Sequence, residues 1–215
     1  MIPEAARQFA GSCAAQFQDN VVAVVLEGSY ARNDEGPDSD IDLYVVVRRL
    51  DSDVLGQIGE IVSTICSRHE LNPAVASQQE LESHPDLFGY TRVKLEGIVL
   101  YGELPEIEVD VESALRVAQY IAHDVLMSAR HYLVVSEPEE RFATGKLYWW
   151  NLKPLGFALR FFHLYQTGEY IRSLGDLSKH YPVLTLDPVR DYRQILLDCI
   201  SVCERIIATQ PLEIG

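Results

Sequence analysis

Two apolar runs, residues 21–26 and 43–47, flank a polar segment that begins with Gly-Ser and ends with Asp-Ile-Asp. Both runs are short and rich in valine, which predicts two buried β-strands. Because successive side chains of a strand point to opposite faces, Asp40 and Asp42 would project together, about 7 Å apart along the strand. The isoleucine between them would then face a core. The pattern predicts a strand, a turn, a loop and a second strand that carries two acids on one face.

Two neighbouring carboxylates without cationic partners repel each other and resist burial. A hard divalent cation removes that repulsion, and Mg²⁺ in proteins is usually held by one or two carboxylates together with substrate phosphates. Asp40 and Asp42 are therefore candidate magnesium ligands. Their position at the start of a strand suits the binding of a metal-bound nucleoside triphosphate.

Gly28 and Ser29 lie where the first strand ends and a short helix is expected to begin. Glycine lets the backbone turn and lets a phosphate approach closely. Backbone N–H groups at a helix start bind anions, and the Ser29 hydroxyl adds a donor. Arg32 follows one turn later, and two interpretations remain open for it: contact with a phosphate, or an ion pair with Asp34 or Glu35.

Residues 28–32, Gly-Ser-Tyr-Ala-Arg, and residues 39–43, Ser-Asp-Ile-Asp-Leu, resemble the signature of the polymerase-beta-type nucleotidyltransferases. The similarity is greatest to the branch with minimal nucleotidyltransferases, antitoxin-type AMP transferases and aminoglycoside and lincosamide nucleotidyltransferases. Asn33 stands where that family often has glycine. A looser resemblance extends to residues 96–102, which look like the closing Glu-Gly-x-x-Leu-Tyr strand of many relatives.

This resemblance implies transfer of a nucleoside monophosphate, AMP in the first instance, from a magnesium-bound triphosphate such as ATP to an acceptor hydroxyl. Catalysis of such transfers consists mostly of positioning and charge neutralisation. Asp40 and Asp42 would be the catalytic metal ligands. The residues expected to bind the triphosphate are Gly28, Ser29, Arg32, Ser39 and, on a helix of the second domain, Lys146.

The family also implies a third carboxylate, often on a later strand, and this chain does not identify one. The corresponding run, residues 71–77, contains no acid, and Asn72 would be a weak metal ligand that cannot act as a base. Two alternatives stay open: an acid from another part of the chain, or a slow or degenerate enzyme. The acids just beyond the first domain are Glu106, Glu108, Asp110 and Glu112.

Composition limits the partners. The chain has 18 basic and 32 acidic residues, a net charge of −14, and no basic run, which argues against a nucleic-acid substrate. An acidic surface is compatible with a small, cationic acceptor. No apolar stretch reaches the length of a membrane span, so we expect no membrane partner. The four cysteines lack metal-type spacing, and Cys199 and Cys203 are expected to be buried thiols on one helix face. The expected location is the reducing cytoplasm.

The periodicity predicts strands and helices in residues 1–104 and an all-α helical bundle in residues 105–215. The resemblance implies an α+β fold in which the first domain is a small mixed sheet flanked by helices. In the second domain, helices are expected near residues 110–136, 139–167 with a kink at Pro154, 173–181 and 189–208. Dense aromatic residues in this domain are expected to lie in its core. The sequence leaves the oligomeric state open.

Three functions remain open at this point. The first is the transfer of AMP to a small molecule, an antibiotic among the candidates. The second is the same transfer to a hydroxyl of a partner protein, as in antitoxin-type relatives. The third is a catalytically impaired module that binds a nucleotide for regulation.

Overall fold

The computed structural model describes residues 1–37, 39–65, 71–83, 89–106, 110–135, 147–185 and 191–211. The chain divides into two compact units, Met1–Glu108 and Val109–Gly215. The predicted α+β fold is confirmed, since the first unit contains a mixed sheet with helices and the second is helical. That each unit is an independent domain, with the boundary after Leu104, stays a prediction.

The first unit contains a four-stranded sheet in the order β3-β2-β1-β4. Strand β1 pairs antiparallel with both β2 and β4, whereas β2 and β3 are parallel. Its helices and strands, in chain order, are α1 (Glu4–Phe17), β1 (Val21–Leu26), α2 (Gly28–Arg32), β2 (Ile41–Val47), α3 (Ser52–Ile65), β3 (Leu71–Ser77), α4 (Gln78–Ser83), α5 (Gly89–Glu96) and β4 (Ile98–Gly102).

Both faces of the sheet are covered, which explains why β1 and β2 are almost continuously apolar. On one face, Ile41 and Leu43 are fully buried in a core to which α1 and α3 contribute. This confirms that Ile41 points away from the predicted site. On the other face, Tyr44 and Val46 pack against Tyr90 and Val93 of α5. Asp42 shares this second face, because it lies two residues before Tyr44 on the same strand.

Local signals in the sequence place several of these elements. Asp51 Oδ1 accepts hydrogen bonds from the backbone N–H groups of Asp53 and Val54, so it caps α3. Ser77 and Glu80 form a capping box at α4, since each side chain accepts the other's backbone N–H. Pro73 lies in β3, an edge strand, where a missing backbone donor is tolerated.

The second unit packs α6 (Val111–Val135) against α7 (Lys153–Thr167) and α9 (Tyr192–Ala208), and α8 (Leu174–His180) contacts α7. The apolar stripe of α6 is buried almost throughout, from Leu115 to Ala129. Gly168 ends α7 in the left-handed conformation of a C-cap. Among the described residues, no helix combines the length and the apolar character required to cross a membrane.

The break expected at Pro154 takes the form of a π-helical turn, Tyr148–Leu152, immediately before α7. The proline is the second residue of α7, which continues directly from the π-helical turn. Phe161 and Phe162 are buried as expected. Trp149 and Trp150 differ from the expectation, because they are 59% and 60% exposed on the π-helical turn.

Candidate functional site

Gly28 lies directly against the carboxylate of Asp42. The glycine has φ +70°, and a Cβ built on it would meet the Asp42 side chain, 2.8 Å from Cγ and 2.9 Å from Cβ. The backbone N–H of Glu27 donates to the Asp42 carbonyl at 2.9 Å, which extends the β1–β2 ladder to the turn. The antiparallel register thus brings the predicted turn and one predicted acid together.

The turn continues directly into α2, a single helical turn. Its C-cap is Asn33, which has φ 58° and donates its backbone N–H to the Ser29 carbonyl. Asparagine tolerates this left-handed conformation, so Asn33 replaces the family's glycine without losing the bend. Ser29 is half-buried. The short helix keeps its hydroxyl next to Gly28.

The loop after α2 leads back to the second acid. Ser39 is tied to this loop, since its Oγ accepts the Gly36 backbone N–H at 2.9 Å and its own N–H donates to the Gly36 carbonyl at 3.1 Å. Asp40 is exposed and immediately precedes β2. Asp42 is half-buried within β2. The convergence of both acids on one ion stays a prediction.

Asn72 of β3 is the direct neighbour of Asp42. The parallel register pairs the two residues, and the Asn72 Nδ2 group donates to Asp42 Oδ1 at 3.0 Å. The side chain beside Asp42 is therefore a neutral amide. This is consistent with the expectation that residues 71–77 supply no third acid.

Glu27, the last residue before the turn, forms an ion pair that the sequence analysis did not foresee. Its Oε2 atom lies 2.5 Å from an Nη atom of Arg92 on α5, and its side chain is only 6% exposed. Burial raises the pKa of the Glu27 carboxyl above its ordinary value, and the neighbouring Asp42 and Glu96 carboxylates raise it further, whereas Arg92 lowers it. Arg92 thus compensates a buried charge beside Asp42.

Arg32 is held by a second buried ion pair. One guanidinium nitrogen donates to Glu96 Oε2 at 2.8 Å, and Nε lies 3.4 Å from Asp34 Oδ2. Side-chain exposure is 7% for Arg32 and zero for Glu96. The predicted alternative of an ion pair with Asp34 is therefore present, joined by the stronger contact to Glu96. A phosphate contact by Arg32 stays a prediction.

Residues 6–110 match the family model of the nucleotidyltransferase domain. This segment is a nucleotidyltransferase domain. The matched segment contains the turn, both predicted acids, Asn72 and both buried ion pairs. No curated protein sequence matches the chain significantly.

Among solved structures, the fold is similar to that of spectinomycin adenyltransferase AAD(9) from Enterococcus faecialis, crystallised with ATP and spectinomycin. The TM-score is 0.53 at 13% sequence identity, and the match covers 99% of this chain and 92% of the adenyltransferase. At this identity the likeness establishes a shared fold, the nucleotidyltransferase fold followed by helices.

The other acids considered for this nucleotidyltransferase have different surroundings. Asp110 caps α6, because its carboxylate accepts the backbone N–H and the hydroxyl of Ser113. Glu112 lies 3.9 Å from Arg116 in an exposed pair. The described residues contain no group of three acidic, histidine or cysteine side chains that could hold a metal. Glu108 and Lys146 lie outside the described residues.

Sequence reasoning about the nucleotidyltransferase motif missed Glu27, Arg92 and Glu96 as neighbours of the turn. Two signals were available. Glu27 is a charged residue between an apolar strand and a glycine, where a buried charge needs a partner. Arg92 and Glu96 are four residues apart on a helix and thus share a face.

Proposed function

We propose that this nucleotidyltransferase transfers AMP from magnesium-bound ATP to a hydroxyl of a small, cationic acceptor. The observation that carries the proposal is the contact between the Gly28 turn and Asp42. Because Gly28 has no side chain, the backbone of the turn packs directly against a carboxylate, which puts a candidate phosphate-binding turn next to a candidate metal ligand. No other position at this turn combines these two features.

The donor set fits a magnesium ion. Asp42 has an oxygen facing the Gly28 turn, and Asp40 is exposed two residues earlier on the chain. Mg²⁺ is commonly held by one or two carboxylates, with substrate phosphates and water completing six oxygen ligands. We therefore assign Asp40 and Asp42 as the residues that hold it.

Each residue of the turn then has a role in the transfer. Asp40 and Asp42 would hold the ion, Gly28 lets the turn pack against Asp42, and Ser29 would donate a hydrogen bond to a phosphate. Ser39 keeps the loop closed through Gly36 and so positions Asp40. When bound, the ion neutralises the negative charge that develops during phosphoryl transfer.

The acceptor class is proposed from charge and from the structural neighbour. A net charge of −14 attracts cations and repels polyanions. The neighbour with the same fold was crystallised with spectinomycin. A cationic aminocyclitol or aminoglycoside hydroxyl is accordingly the first acceptor to test.

The test is incubation of the protein with α-labelled ATP, Mg²⁺ and a panel of such antibiotics, with pyrophosphate release and the mass of the adenylated product as readouts. We expect Asp42→Asn to lower the rate by about two orders of magnitude or more, because the carboxylate holds the ion in the transition state. Asp53→Asn, an exposed aspartate beyond the far end of β2, is the matched control. Equal rates in the Asp42 and Asp53 variants would contradict the assignment.

Asn72 favours a second candidate function, a nucleotide-binding module with little or no transfer. The amide beside Asp42 cannot take a proton from an acceptor hydroxyl, which would leave binding intact and chemistry slow. Calorimetric binding of MgATP without pyrophosphate release, for every acceptor in the panel, would support this candidate over the first.

A further inference from the structure

We propose that Arg92 contacts the phosphates of the bound nucleotide, and that Glu27 orients it for this contact. The inference deepens the proposed function and rests on it, since it adds a phosphate-binding residue to the same site. Neither the sequence motif nor the family match assigns a role to Arg92.

The position of Arg92 follows from its partner. Glu27 is joined to Gly28 by a peptide bond and continues the antiparallel ladder opposite Asp42. Residues directly opposite each other in such a ladder present their side chains on the same face of the sheet. Because Arg92 lies 2.5 Å from the Glu27 carboxylate, its guanidinium is on the face of Asp42, beside the turn.

Exposure distinguishes Arg92 from the arginine that the motif suggested. The Arg92 side chain is 21% exposed, whereas Arg32 is 7% exposed and contacts both Glu96 and Asp34. Arg32 therefore offers a phosphate much less accessible surface than Arg92 does. A guanidinium has five N–H donors in a planar fork, so one arginine can bind a carboxylate and a phosphate at the same time.

The charges of the Glu27–Arg92 pair also favour nucleotide binding. Asp42 and Glu27 are adjacent acids, and without a cation they would both repel a triphosphate. Arg92 offsets the charge of Glu27, and it offers the charge-assisted hydrogen bonds with which arginine binds phosphate oxygens. Because the Glu27 carboxylate already holds the guanidinium in place, the Arg92 side chain loses less conformational entropy when a ligand binds.

The experiment is calorimetric titration with MgATP and, separately, AMP. The variants are Arg92→Gln and the double variant Glu27→Gln/Arg92→Gln, which removes both charges and leaves no buried carboxylate unpaired. We expect the Kd for MgATP to rise at least about tenfold in both variants, because each loses one charge-assisted contact with the nucleotide. The Kd for AMP should change little. Arg49→Gln, at an exposed arginine after the far end of β2, is the control.

A second measurement uses the unaltered protein. Phenylglyoxal modifies accessible arginines, and mass spectrometry locates the adduct. We expect MgATP to protect Arg92 and AMP to protect it much less. Two results would overturn this inference and leave the proposed function intact. They are wild-type affinity for MgATP in the double variant, and equal modification of Arg92 with and without MgATP. Failure of the wild-type protein to bind MgATP would overturn the proposed function together with it.

Discussion

Gly28 and Asp42 lie so close together that the glycine has no room for a side chain. The φ of +70° at Gly28 disfavours any other residue, and a Cβ would collide with the carboxylate. Backbone conformation and packing therefore demand glycine here for two separate reasons. The same contact fixes where the carboxylate points.

Replacing Gly28 with alanine should harm both stability and binding. We expect Gly28→Ala to lower the free energy of unfolding by about 1–2 kcal/mol from the left-handed backbone alone, and to weaken MgATP binding as Asp42 is pushed aside. Gly56→Ala is the control, since this exposed helical glycine has nothing within 4 Å of an added Cβ. Its free energy of unfolding should rise by up to about 1 kcal/mol, because alanine favours a helix over glycine. Urea denaturation and calorimetry measure the two effects. Unchanged MgATP affinity in Gly28→Ala would contradict the role given to the turn.

Asn72→Asp should create a stronger metal site. The new carboxylate would replace the amide that donates to Asp42, so the metal-free protein should have a lower thermal midpoint from like-charge repulsion. Metal binding would relieve this repulsion, and we expect the affinity for Mn²⁺ to rise by about tenfold, equal to 1.4 kcal/mol. Electron paramagnetic resonance of free Mn²⁺ measures the affinity. Asn72→Ala removes the same hydrogen bond without adding charge and should bind Mn²⁺ no better than the wild type, so a gain in that variant would speak against the explanation.

Loss of the Arg32–Glu96 ion pair should lower the free energy of unfolding substantially. Glu96→Gln removes the 2.8 Å ion pair of the buried Arg32 guanidinium, and breaking a buried pair in this way costs about 3 kcal/mol of the free energy of unfolding. Glu204→Gln breaks the exposed pair with Arg130, and this should lower the free energy of unfolding by less than about 1 kcal/mol. Chemical denaturation compares the two variants. Similar midpoints for both would mean that the buried pair contributes little to the fold.

The buried thiols give a pH-dependent prediction. Burial raises the pKa of Cys13 to about 12, and burial together with the nearby Glu204 carboxylate raises the pKa of Cys203 to about 12, from an ordinary value of 9.0. In a raised-pKa thiol, the folded state keeps its proton while the unfolded state loses it, so stability should fall as the pH rises from about 9 to 12. Denaturation midpoints at pH 8 and pH 10, compared with those of Cys13→Ala, test this. A wild-type midpoint that falls no more steeply than that of the variant would refute it.

Thiol reactivity offers an independent check. In a Cys66→Ser background, we expect Cys13, Cys199 and Cys203 to react with Ellman's reagent only on unfolding, because all three are buried. The rate at pH 8 should then follow global unfolding in urea. Rapid reaction of any of them in the native protein would contradict their burial.

The sequence predicts the sheet well because its signals are local. Strand β3 has the predicted bounds, and the capping residues Asp51 and Ser77 act where the sequence places them. Buried strands, caps and glycine turns depend on neighbours a few residues away, so periodicity detects them. The burial of Cys199 and Cys203 on α9 is confirmed for the same reason.

These local signals could not predict the ion pairs of the site. Glu27 and Arg92 are 65 residues apart, and Arg32 and Glu96 are 64 apart. Each pair forms only when α5 packs on the sheet, a tertiary event that periodicity does not encode. The two exposed tryptophans were missed differently, because their spacing resembles that of core aromatics and only the π-helical turn directs them outward.

The parallel register of β2 and β3 also bears on how this site can evolve. Either asparagine codon becomes an aspartate codon through one transition, so a carboxylate beside Asp42 is a single base change away from the present sequence. A library of random mutants, selected for adenylylation, should therefore recover aspartate at position 72 without any intermediate step.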